Sequence, residues 1–156
     1  SNHGRISSNI ARAFGNHLED SPCEVFSADM KVKTSTGKYR YPDVLILCDN
    51  QFIDNGYVTQ TPTIIVEVIS RSTRKIDEKT KLLEYINIPT LKEYVLIEQD
   101  VVDISVLRRS DNWRTSHYFL GESIYFASID LALAVETIYR RVENQDMADF
   151  LADKQQ

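Results

Sequence analysis

The run Pro62-Thr-Ile-Ile-Val-Glu-Val-Ile-Ser70 constrains this chain more than any other stretch. Ile64, Ile65, Val66, Val68 and Ile69 are apolar and β-branched on both parities, the pattern of a central strand covered on both faces. Glu67 interrupts it. Burying an unpaired charge in such a strand costs on the order of several kcal/mol or more. A proton, a lysine or arginine, a divalent metal ion, or water at the end of the sheet must therefore meet this carboxylate. Structural ion pairs perturb buried carboxylates as functional sites do, so Glu67 alone does not choose between these answers.

The composition sets bounds. With 156 residues, 42% of them hydrophobic, the chain can form one domain with an ordinary core and is not disordered. The reading is of a single domain over residues 1–156. No apolar run is long enough to span a bilayer, and the first residues carry no secretory pattern of a charged then apolar segment. The two cysteines, Cys23 and Cys48, lie far apart. Cys48 ends an apolar run and reads as a small buried residue, and a reduced, cytoplasmic setting is expected. His3, His17 and His117 form no zinc signature. A net charge of −5 argues against non-specific coating of nucleic acid. It is compatible with clustered carboxylates that hold a divalent cation beside a local basic rim.

Periodicity gives the elements. Ile6, Ile10, Ala13, Phe14 and Leu18 predict a helix over residues 5–18. Strands are predicted at residues 23–32 and 39–48, separated by the turn Thr34-Ser-Thr-Gly37. After the central strand, Ser72 or Thr73 caps a helix over residues 75–87 with Ile76, Leu82, Leu83 and Ile86 as its apolar stripe, and Pro89 ends it. Strands follow at residues 92–98, 101–107 and 113–119, with a short fourth at 123–126. Short helices close the chain near residues 135–139 and 142–151. Trp113 is expected in the core. The fold class is α/β, with a mixed central sheet flanked by helices and an antiparallel C-terminal meander. No glycine-rich loop follows a strand, so this is not a dinucleotide-binding unit.

Asp43, in Pro42-Asp43, shares the parity of Leu45 and Leu47, and Glu67 that of Ile65 and Ile69. On neighbouring strands the two carboxylates would point to one face at one end of the sheet. Two such charges repel unless a cation lies between them, and Mg²⁺ commonly takes one or two carboxylates and leaves its other positions to water and phosphate. Asp29 and Asp49 are further candidate ligands, though Asp49 more simply ends its strand.

These residues carry a resemblance. Pro42-Asp43 followed by Glu67 in an apolar strand resembles the PD-(D/E)xK nuclease superfamily. The fuller pattern is Tyr41-Pro-Asp-Val, Val66-Glu-Val-Ile-Ser-Arg-Ser-Thr73, then Asp77, Lys81 and Tyr85, and Ile88-Pro-Thr-Leu-Lys-Glu-Tyr-Val-Leu-Ile97. It resembles the Uma-type restriction endonuclease family, abundant in cyanobacteria and long filed as a domain of unknown function. The likeness runs from about His3 to Trp113.

The resemblance implies a restriction-endonuclease-like core and a metal-dependent DNA endonuclease. Asp43 and Glu67 would ligate Mg²⁺ or Mn²⁺, with the Val68 carbonyl as a third ligand. Ile69 occupies the position of the superfamily's usual lysine, and Lys81, from the next helix, would take that role. Helical geometry leaves Lys79 as the alternative, since it lies nearer the apolar stripe. Arg71, Arg74 and Lys75 would contact a DNA backbone. Ser70, Asp77, Tyr85 and His3 are secondary candidates. The family usually carries an acidic N-terminal hairpin ahead of the His3 position, which this sequence does not show. A homodimer would suit cutting of both strands. The rival expectation is a catalytically inactive module of nuclease fold that binds nucleic acid or protein.

Overall fold

A computed structural model describes residues 1–49, 51–71 and 76–156, with only the backbone of Ile76 and Asp77. The expected first helix is α1 (Asn2–Leu18), whose Ile6, Ile10, Phe14 and Leu18 form a buried stripe at four-residue spacing. The Ser1 hydroxyl accepts from the Gly4 N–H at 3.2 Å and caps it. Buried Asn9 sends its amide to the carbonyls of Ile138 and Arg140, which ties the helix to the C-terminal part of the chain.

The large sheet contains β1 (Glu24–Ser27), β4 (Val44–Leu47), β6 (Ile64–Ile69), β7 (Glu93–Glu98), β8 (Ile104–Arg108) and β9 (Thr115–Tyr118), in that spatial order. A smaller sheet holds β3 (Tyr39–Arg40), β2 (Lys31–Lys33) and β5 (Val58–Thr59). In the large sheet β6 and β7 are parallel and the other pairs antiparallel. The parallel pair requires a crossover, which is α2 (Ile76–Tyr85). All six residues of β6 are buried, as its composition requires. Side chains of alternate parity feed two cores. One lies under α1 and contains Ile10, Phe14, Val66 and Val95; the other lies under α2 and contains Leu45, Ile65, Tyr85 and Tyr94.

Each of the two strands expected at residues 23–32 and 39–48 divides in two. Ala28 turns with φ 56°, and the next strand leaves the large sheet. Beside it, Pro42 has no N–H for a ladder, and the chain bends there too. The Ala28 N–H donates to the Asp43 carbonyl at 3.1 Å, so the two breaks lie against each other. Alternating apolar residues, Phe26, Ala28, Met30 and Val32, run through the first break and hid it in the sequence.

Three further differences have local causes. The strand β10 (Ser123–Phe126) does not extend the meander; it pairs with β11 (Leu131–Ala134), a strand the Leu-Ala repeat did not suggest. Short helices α3 (Val135–Ile138) and α4 (Gln145–Lys154) follow. Trp113 sits at the rim of the core, under the guanidinium of Arg109 at 5.0 Å. Cys23 and Cys48 form a disulfide, correcting the expectation of separate reduced cysteines. Glu24 pairs with Leu47, so the residue before one and the residue after the other face each other across β1 and β4. No helix among the described residues is long and apolar enough to cross a membrane.

The disulfide closes a span of 25 residues. Its reduction, or the Cys23→Ser and Cys48→Ser pair, is expected to lower stability by roughly 3 kcal/mol through the freed unfolded chain. Denaturant unfolding with and without a dithiol reductant measures this.

Candidate active site

Asp43 and Glu67 meet at one end of the large sheet. The ladder between β4 and β6 ends at Val44 opposite Val66, which leaves Asp43 beside Glu67 on the face covered by α2. Asp43 stands just beyond the ladder, and its Oδ2 accepts the Val68 N–H at 2.8 Å. A residue's N–H and C=O leave an extended strand on the same edge, so the Val68 carbonyl also faces the Asp43 side, past the last β4 pairing. His3, in the first turn of α1, places Nε2 2.9 Å from Asp43 Oδ1.

Glu67 is 6% exposed. The Tyr85 hydroxyl donates to its Oε1 at 3.1 Å, the Tyr94 hydroxyl to its Oε2 at 3.2 Å, and Lys81 Nζ lies 3.3 Å from the same Oε2. Burial pushes the carboxyl pKa above its ordinary value, against the opposing pull of Lys81 and the two tyrosines. Burial and the adjoining carboxylate push both tyrosine hydroxyls upward, so they remain donors. A carboxylate offers about four acceptor positions, and these three donors leave one open.

The inward face of α2 is mixed: of the apolar stripe expected of it, Leu82 packs against the core and Ile86 is half-buried, the side chain of Ile76 lies outside the described residues, and polar groups share the face. Leu83 points to solvent, while Glu84 and Tyr85 are buried and Lys81 is half-buried. Charge pairing decides this orientation. Lys81 meets Glu67, and Glu84 takes a two-pronged bond from Arg40 of β3 at 2.7 and 2.8 Å. That bond holds the Glu84 carboxyl below its usual range.

The cleft around these groups has a volume of about 320 Å³ and is lined by His3, Tyr41, Asp43, Glu67, Val68, Ile69, Ser70, Glu78, Lys81 and Gln99. Lys81 reaches Glu67, whereas Lys79 is exposed and borders a different depression between α2 and β7. Ser70 lies at the rim. Arg71 is exposed, its N–H bound by Asp100. Arg74, Lys75 and the side chain of Asp77 lie outside the described residues, as do Ser72 and Thr73. Asp49 stands at the far end of β4 and binds the N–H of Gln51 and the hydroxyl of Thr61. Asp29 is exposed. Among the described residues no three His, Cys, Asp or Glu side chains are arranged to hold an ion.

Tyr94 and Gln99 were missed by sequence reasoning. A tyrosine beside the apolar run Val95-Leu-Ile97 was the available signal, since a buried hydroxyl requires a partner. Gln99 carried no such signal; its N–H binds the Ile69 carbonyl and places it at the cleft.

Residues 1–136 match the family model Uma2, described as "Putative restriction endonuclease". The chain belongs to the Uma2 family. An uncharacterized protein of Synechocystis sp. is 32% identical over 142 residues, 89% of this chain and 75% of that protein. A second uncharacterized Synechocystis protein is 36% identical over 101 residues, 63% of this chain and 57% of the relative. The crystal structure of "a putative nuclease belonging to DUF820" from Anabaena variabilis superposes with a TM-score of 0.72 at 15% identity, covering 89% of this chain and 80% of that one. At that identity the likeness shows the fold, a mixed α/β sheet flanked by helices, as the Uma-type resemblance implied.

A carboxyl whose pKa is raised by folding binds its proton more tightly in the native state. Its stabilising contribution is full below the ordinary value of 4.5 and is lost as pH rises through the raised value. Glu67→Gln removes this dependence. Melting temperatures followed upward from about pH 4.5 in metal-free buffer are expected to fall for the parent relative to the variant.

Proposed function

We propose that this Uma2 member is a divalent-metal-dependent DNA endonuclease. The observation that carries the reading is the ammonium of Lys81 at 3.3 Å from the buried carboxylate of Glu67, on the face that Asp43 also borders. Two carboxylates and a basic group at the open end of a sheet suit phosphodiester hydrolysis.

The donor set fits Mg²⁺ or Mn²⁺, which take oxygen ligands and need only one or two carboxylates. Asp43 and Glu67 each keep acceptor capacity, and the Val68 carbonyl faces the same side. A divalent ion held there would lower the pKa of a bound water and stabilise charge on the phosphate. Tyr85 and Tyr94 fix the Glu67 carboxylate so that it need not reorganise. Lys81 stabilises charge developing on the phosphate oxygens and orients the attacking water. His3 orients Asp43 from the solvent side. Two copies on a twofold axis would cut both strands, with the β8 and β9 region, residues 101–119, as the proposed contact.

A second reading has its own support. Both carboxylates already have basic partners, Lys81 and His3, which is how an inactive module of this fold would neutralise them.

Cleavage of plasmid DNA with Mg²⁺ or Mn²⁺ separates the readings. Asp43→Ala and Glu67→Ala are expected to abolish cutting and weaken Mn²⁺ binding, and Lys81→Ala to lower turnover by about a hundredfold or more with binding retained. Tyr94→Phe is expected to lower metal affinity about tenfold or more by freeing the carboxylate. Unchanged Mn²⁺ binding in both carboxylate variants would remove the site. DNA binding without cutting under any divalent ion would favour the inactive module.

A further inference from the structure

The small β3–β2–β5 sheet carries an exposed face that the site chemistry leaves unused. Its register pairs Lys33 with Tyr39 and Val32 with Arg40. Val32 and Arg40 face inward, the one fully buried and the other bound to Glu84. The opposite face therefore carries Lys31, Lys33, Tyr39 and Tyr41. The Lys31 ammonium lies 5.7 Å from the Tyr41 ring centre, and that of Lys33 lies 5.9 Å from the Tyr39 ring centre. Among the described residues neither lysine is paired with a carboxylate. Tyr39 is 47% exposed and Tyr41 65%. Tyr57 is 63% exposed, and its carbonyl accepts the Lys31 N–H.

Tyr41 fixes where this face leads. It lines the same cleft as Asp43, Glu67 and Lys81. An array of two rings and two ammonium groups thus continues into the candidate active site. In a protein of net charge −5, two lysines with no carboxylate partner among the described residues form a local positive field that suits a polyanion. The tyrosines narrow the choice. Bases inside a duplex already stack on one another, whereas an unpaired base offers a free face to an aromatic ring.

We propose that this face is a stacking platform for single-stranded DNA, which delivers an unpaired stretch of substrate to the cleft. The assignment rests on the nuclease reading and gives its substrate form. Tyr41 and Tyr39 take successive bases, and Lys31 and Lys33 follow the phosphates.

Fluorescence anisotropy in EDTA, with a labelled oligothymidine strand and a labelled duplex of equal length, tests binding apart from cutting. The single strand is expected to bind more tightly. Tyr41→Ala and Tyr39→Ala should each weaken it roughly fivefold or more and leave the duplex unchanged. Tyr41→Phe, which keeps the ring, should retain the parent's affinity. Lys31→Gln and Lys33→Gln should each flatten the logarithmic salt dependence by roughly 0.7. Equal affinity for the two oligonucleotides, or tyrosine variants that bind the single strand as the parent does, overturns the platform. Plasmid cutting that persists in that case leaves the nuclease reading standing. Tyrosine-dependent single-strand binding without cutting under Mg²⁺ or Mn²⁺ sinks the nuclease reading and with it the delivery of substrate, and leaves the face as a single-strand-binding surface.

Discussion

The structure depends on how one carboxylate is kept inside a fully buried strand. β6 is covered on both faces, and Glu67 in the middle of it loses its water. Leaving such a group unmet costs more than any single hydrogen bond returns. Three donors from two elements answer it, Lys81 and Tyr85 from α2 and Tyr94 from β7. This demand shapes the neighbours. The helix must turn polar residues inward, and Leu83 is left in solvent as a result. The adjoining strand must carry a tyrosine where an aliphatic residue would otherwise pack.

Two glutamates one turn of sheet and helix apart have opposite fates. Glu84 is met by a planar guanidinium whose two N–H groups match its oxygens, and its charge is favoured. Glu67 is met by one ammonium and two neutral hydroxyls, and burial prevails. The first arrangement is a strut between the small sheet and α2. The second leaves a carboxylate in want of positive charge beside Asp43. That shortage is what the proposed cation would meet.

Much of the frame could be read from the sequence because strand parity is a local property. Asp43 and Glu67 were placed on one face by counting, and the β4–β6 register put them side by side. The remainder depended on distant partners. The break at Ala28 lies within the apolar alternation Phe26, Ala28, Met30, Val32, and its pairing with the bend at Pro42 became visible only in the fold. Counting leucines found Leu82 on the inward face of α2 but missed the polar part of that face, whose partners Arg40, Glu67 and Tyr94 lie on three different strands. Lys81 came from the resemblance to the Uma-type pattern, where helical spacing had offered Lys79 equally. The pairing of Cys23 with Cys48 required knowing that β1 lies against β4.

Asp43 occupies the crease along which two sheets are folded, with the Ala28 N–H bound to its carbonyl and β3 just before it. Its distance from Glu67 is therefore governed by the inclination of the small sheet as well as by the ladder between β4 and β6. The Arg40–Glu84 strut sets that inclination from a point away from the cleft. Changes in the small sheet or its strut can then widen or narrow the gap between the two carboxylates while the strands that bear them keep their sequence.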